Sequence, residues 1–178
     1  MARAKAKSKH LRKGNRFKRD KAAIGKVITV LLVIVLSGLL LATLFTQVLP
    51  ILKYSGTSME PTLTDGQYVL AIKTDDIESG DIIAFYYNNS VLVRRVIATE
   101  GQQVSVDLFG TVTVDGQELQ EPYIADKTLG QSNQEYPCNV PLDSYFVMGD
   151  NRTQSMDSRL QEIGTVNQSR IIGKLILY

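Results

Sequence analysis

The sequence predicts a mainly β domain carried behind one N-terminal transmembrane helix. Three observations lead there. The 26-residue run Val27–Leu52 holds no charged side chain. The chain beyond it is a series of short stretches rich in β-branched and aromatic residues, broken by turn pairs. No long amphipathic helical period follows residue 52. What lies outside the span suits one domain of ordinary size, large enough to bury a core without metal or disulfide.

Residues 1–23 read as a basic cytoplasmic tail. Residues 1–26 hold 11 Lys or Arg against Asp20 alone, while the other 152 residues hold 9 basic and 17 acidic side chains. The two parts therefore stand near +10 and −8. Such asymmetry marks a basic tail facing a polyanion, joined to a separate soluble domain. The apolar run that follows selects anionic lipid over nucleic acid as that polyanion.

Residues 24–52 read as a retained signal-anchor. About 20 apolar residues cross a bilayer as a helix. A removed signal peptide would carry an apolar region of only about 7–15 residues and a small-residue cleavage site. The segment LFTQVLPIL offers no such site, and Pro50 stands where a helix can stop. The positive-inside rule keeps the tail in the cytoplasm. The expectation is a single-pass protein of the cell membrane, with residues 53–178 as its extracytoplasmic domain.

Within that domain, Gln67–Ile72 and Asp81–Tyr87 read as strands separated by the turn-rich KTDDIESG. Asn88-Asn89 makes a tight turn into a third strand, Val91–Ala98. Gln103–Asp107 and Gly110–Val114 form a short hairpin, and Asp115-Gly116 turns into a further strand. Glu121–Pro141, with three prolines, reads as a long loop. Tyr145–Met148 and Arg170–Tyr178 complete a barrel-like or sandwich set. Cys138 is the only cysteine, so no intrachain disulfide forms. The only histidine is His10, in the tail. No His/Cys cluster has ligand spacing, so neither metal nor cofactor is expected.

Three segments carry chemistry. Gly56-Thr57-Ser58-Met59-Glu60-Pro61-Thr62-Leu63 begins four residues beyond the apolar run. Ser79-Gly80-Asp81-Ile82-Ile83-Ala84-Phe85 is a turn entering a strand. Gly149-Asp150-Asn151-Arg152 is followed by Ser155, Asp157, Ser158 and Arg159. Each alone has a bland reading: a linker turn at Glu60-Pro61, a loop, and a surface Asp157–Arg159 ion pair worth little.

Together, in this order and behind one anchor, they resemble the bacterial type I signal peptidases, the Gram-positive type in particular. Those enzymes carry a Ser-Met-x-Pro-Thr-Leu box beyond the membrane, a Gly-Asp-Ile-Val-x-Phe strand and a Lys-Arg-Val-Ile strand. A Gly-Asp-Asn-Arg-x-x-Ser-x-Asp-Ser-Arg box and a Gly-x-Val…Ile-x-Gly tail follow. The tail reads here as Gly164-Thr165-Val166 and Ile172-Gly173 with altered spacing. The resemblance covers roughly residues 24–178 and implies the family's β-rich catalytic domain.

It implies Ser58 as nucleophile, with its amide as an oxyanion donor. Gly56 stands where some members place a second, hydroxyl donor. Met59 and Pro61 belong to the first box, and Gly149, Asp150 and Asn151 to the last. Ser155 occupies a position that contacts the family's lysine, and Asp157 and Arg159 positions that brace the site. The implied substrates are exported preproteins, cleaved after small residues in an A-x-A pattern. The bilayer is the other partner, the export machinery a candidate one, and nucleic acid none.

The family's lysine base aligns with Arg94, and a one-residue slip gives Arg95, also an arginine. Lysine starts near pKa 10.4 and reaches working pH when desolvated. Arginine starts near 12.5–13.8, and bringing it to about 7 costs at least ~7.5 kcal/mol. Proteins do not deprotonate it. The lysines beyond the span, Lys53, Lys73, Lys127 and Lys174, match no base position. Two functions stay open: a working signal peptidase, or an impaired paralogue that binds signal peptides or partner proteins.

Overall fold

The computed structural model describes residues 24–43 and 49–178. The basic tail, residues 1–23, lies outside the described residues. Helix α1, Ile24–Thr43, is long and apolar enough to cross a membrane, and its side chains are exposed throughout. The span does not run to Leu52 as the hydropathy implies. Ile51 and Leu52 belong to strand β1 (Ile51–Lys53), which pairs antiparallel with β2 (Tyr68–Ile72), Leu52 opposite Val69. Leu52 packs against the domain core. Its apolarity serves that core, which hydropathy cannot tell from lipid.

The other strands are β3 (Ile82–Tyr87), β4 (Ser90–Ala98), β5 (Gln103–Val106), β6 (Val112–Val114), β7 (Gln117–Glu118), β8 (Cys138–Asn139), β9 (Ser144–Met148), β10 (Val166–Asn167) and β11 (Ile171–Leu177). A seven-stranded sheet runs β1-β2-β11-β3-β4-β9-β10, and a four-stranded sheet runs β7-β6-β5-β8. Every pairing is antiparallel.

The apolar run of β3 follows from burial on both faces of the large sheet. Ile82 and Ala84 join the cluster of Tyr54, Met59, Leu63 and Val93, whereas Ile83 and Phe85 join that of Val96, Val147 and Val166. A third cluster seats the small sheet through Val104, Val106 and Val112 against Ile97, Phe146 and Met148. The Asp115-Gly116 turn has positive φ at both residues, 52° and 77°, a shape that favours glycine at the second. The segment Glu121–Pro141 is not loop throughout. Cys138–Asn139 pairs with Gln103–Val104, too short a strand for a sequence pattern to mark.

One feature of register positions the site. β3 pairs with β4 along Ser90–Arg95, but β9 pairs with β4 only across Arg95–Ala98. Among the described residues, Ser90–Arg94 therefore has no strand on its other side.

Candidate active site

The turn after β1 brings Ser58 to Arg94. Gly56 holds φ at +108°, which an L side chain rarely adopts, and its N–H donates to Asp65 Oδ1 at 2.8 Å. That hydrogen bond holds the Asp65 carboxyl below its ordinary value. Met59 and Leu63 are buried anchors on the far side of the turn. Pro61, after a cis peptide bond, is exposed.

Arg94 Nη1 donates to Ser58 Oγ at 2.7 Å and to Val93 O at 2.6 Å, and Nε donates to Met156 O at 2.9 Å. Arg94 is buried, at 4% exposure. Burial pulls its guanidinium below the ordinary value, and Asp157 opposes that pull. Tyr54 Oη lies 3.2 Å from Ser58 Oγ and accepts the Met59 N–H at 2.9 Å. The Ser58 N–H has no hydrogen-bond partner among the described residues.

Arg95 does different work. Its Nε and Nη2 grip both oxygens of Asp150 at 2.9 and 2.6 Å, and its Nη1 donates to Gly80 O at 2.8 Å. Burial would lower this guanidinium, but Asp150 outweighs it and holds it above the ordinary value. The Tyr123 ring lies 4.0 Å away beneath the same group. Thr62 Oγ1 also donates to Asp150. The Asn151 N–H donates to Ser58 O at 3.0 Å. The GDNR turn is thereby fastened to the serine turn and to β4.

The Asp157–Arg159 pair is not a surface pair. Both side chains are fully buried, with Nε–Oδ1 and Nη2–Oδ2 at 2.8 Å each. Burial alone would raise the Asp157 carboxyl, but Arg159 and the Gly149 N–H, 2.9 Å from Oδ2, hold it below the usual range. Ser155 Oγ is buried close enough to the Asp157 carboxyl to help hold it down, but makes no hydrogen bond of ordinary geometry among the described residues. Among the described residues Ser155 and Arg94 make no hydrogen bond to each other: Nη1 and Nε of the guanidinium are directed at Ser58, Val93 and Met156.

Tyr54, Tyr123 and Glu121 escaped sequence reasoning, and Thr62, quoted within the first box, was given no role of its own. Glu121 makes a buried bidentate pair with Arg152. None lies at a spacing that signals its partner. No group of His, Cys, Asp or Glu among the described residues could hold a metal ion. None of the four lysines beyond the span hydrogen-bonds to Ser58. Lys127 pairs with Glu118 and Lys174 with Asp81.

A cleft of about 640 Å3 opens beside Ser58 and Arg94. Its walls include the chain from Leu52 to Thr57, the stretch Ser90–Val93, which is paired with β3 on one edge only, and Met156.

A serine at the end of a cleft, on a scaffold of antiparallel sheets, is the arrangement of a β-rich serine peptidase. The family model described as "Signal peptidase, peptidase S26" matches residues 24–178. A signal peptidase I of Bacillus amyloliquefaciens is 37% identical over 131 residues, covering 66% of this chain and 67% of its own. One of Bacillus licheniformis is 33% identical over 160 residues, covering 81% of each. A crystal structure of a signal peptidase I from Enterococcus faecalis V583 is 30% identical and covers 56% of this chain and 96% of its own, with a TM-score of 0.48. On the sequence matches, the chain belongs to the signal peptidase family, peptidase S26, as a serine peptidase of the type I signal peptidase kind.

Proposed function

We propose that this protein is a membrane-anchored endopeptidase that removes N-terminal signal peptides from exported preproteins, with Ser58 as nucleophile. The observation that carries this reading is Ser58 at the end of the cleft, with an unpartnered amide of its own. That amide is placed to receive the oxyanion of a tetrahedral intermediate. An extended peptide in the cleft meets the unpaired edge of Ser90–Val93, where it can add as a strand. Leu52, Tyr54, Leu92 and Met156 give the cleft an apolar part of its lining, which suits the small apolar residues of an A-x-A site. Residues 1–23 form the cytoplasmic tail, α1 the anchor, and the β domain the extracytoplasmic part.

The test is cleavage of a labelled A-x-A preprotein by the full-length protein in lipid vesicles, beside Ser58→Ala. Cleavage after the small residue, lost in the variant, is expected. One observation favours a second reading, an impaired paralogue that binds signal peptides. Among the described residues the only charged group on Ser58 Oγ is a guanidinium, which donates and cannot accept. Signal-peptide binding without Ser58-dependent cleavage would establish that reading instead.

A further inference from the structure

The site lacks an evident base, and its hydrogen bonds indicate where one lies. A serine hydroxyl has one hydrogen and two lone pairs. Arg94 Nη1, at 2.7 Å, takes a lone pair of Ser58 Oγ. One hydrogen and one lone pair remain, and the other neighbour within hydrogen-bond distance among the described residues is Tyr54 Oη at 3.2 Å, a pair in which a neutral phenol can donate and a phenolate can only accept. Tyr54 is buried, at 4% exposure, and its oxygen already accepts the Met59 N–H at 2.9 Å. Its ring belongs to the buried cluster of Met59, Leu63, Val69 and Ala71.

Building on the signal-peptide-cleaving reading, we propose that Tyr54, as a phenolate beside the Arg94 cation, is the base that takes the proton from Ser58. Tyrosines as a class ionise near 10, close to lysine's 10.4 and well below arginine. A phenolate can accept a proton where a guanidinium cannot. Tyr54 and Arg94 lie close enough for the phenolate charge to favour the cation. Arg94 then compensates the negative charge that moves between the two oxygens.

The steps balance. Tyr54 O⁻ accepts the Ser58 proton as Oγ attacks the scissile carbonyl carbon. The phenol returns that proton to the departing amine as the C–N bond breaks. In the second half, the phenolate takes a proton from water, whose oxygen attacks the acyl carbon. The phenol then reprotonates Ser58 Oγ as the ester bond breaks, and the site is restored.

The test uses the full-length protein in vesicles, with kcat and KM measured from pH 6 to 10.5. Tyr54→Phe removes one oxygen. It is expected to lower kcat by about 100-fold or more, the usual contribution of a positioned base, with KM within about threefold. Other charged groups surround the pair: Arg94 from β4, Asp157 and Arg159 beyond it, and Lys53 and Asp65 on segments flanking Tyr54. The rising limb of kcat is therefore assigned by placing 3,5-difluorotyrosine at position 54. That residue keeps every contact and is more acidic, so the limb should move to lower pH. Tyr54→Phe combined with Arg94→Lys should regain cleavage, because lysine supplies a base of its own; a role confined to holding Met59 would give no such rescue. A kcat unchanged in Tyr54→Phe, or a limb that ignores the fluorines, would overturn the proposal alone. Absence of Ser58-dependent cleavage in the wild type would overturn the signal-peptidase reading with it.

Discussion

Arg94 and Arg159 show how much one guanidinium's surroundings decide. Arg94 has no carboxylate in hydrogen-bond contact, only carbonyls and Ser58 Oγ. Replacing it by lysine puts a group that can lose its proton in an apolar pocket. Arg94→Lys should raise signal-peptide cleavage about tenfold or more at pH 8–9, measured as kcat/KM against wild type. Arg159 instead neutralises a fully buried carboxylate. Arg159→Ala would strand that charge and should cost about 3–5 kcal/mol in urea unfolding. The sign with pH follows from the Asp157 carboxyl lying below its ordinary value. Its contribution to stability is complete above about pH 4, the unfolded range, and is lost as pH falls through the lowered native value. Between pH 6 and 9 the pair should leave stability flat. The sequence motifs named Ser58, Arg94, Asp157 and Arg159, because short boxes keep their spacing. They could not name Tyr54, and they carried Thr62 within the first box without its role, since a tyrosine four residues before a serine, or a threonine 88 residues from its aspartate, has no local signal.

At the scale of elements, the site is a seam where the serine turn, β4 and the turn after β9 meet. Gly149 sits in that seam. A Cβ there would lie 2.2 Å from Ser155 Oγ and 2.5 Å from Ser58 O. The second contact is backbone and cannot rotate away. Gly149→Ala should therefore push the serine turn off its position, lower the unfolding free energy by about 1–3 kcal/mol and reduce kcat. A thermal melt read beside initial rates checks both. β3, β4 and β11 were legible because six to nine residues of branched and aromatic side chains declare a strand by themselves. β1, β8 and β10 were not, having two or three residues each. Their partners across the sheet define them, and partner choice is tertiary information.

For the whole molecule, the decisive quantity is the division of charge along the chain. Residues 1–26 carry 11 basic side chains and one acidic, and α1 follows without a charge between Lys26 and Lys53. Moving so many cations across a bilayer during insertion is disfavoured, and basic residues within about 15–20 positions of a span set its orientation. The residues beyond the span carry 9 basic and 17 acidic side chains and offer no competing basic cluster next to it. The orientation we propose from this charge division has the tail in the cytoplasm and the β domain outside, on the side where preproteins are exported. Protease added to intact spheroplasts should then digest the domain beyond Lys53 and leave a membrane-embedded fragment bearing the tail. Substituting the basic residues of the tail by glutamine should produce a mixture in which part of the domain becomes protected. A domain fully protected in the wild type would reverse the orientation and remove the protein from the side on which signal peptides are cleaved.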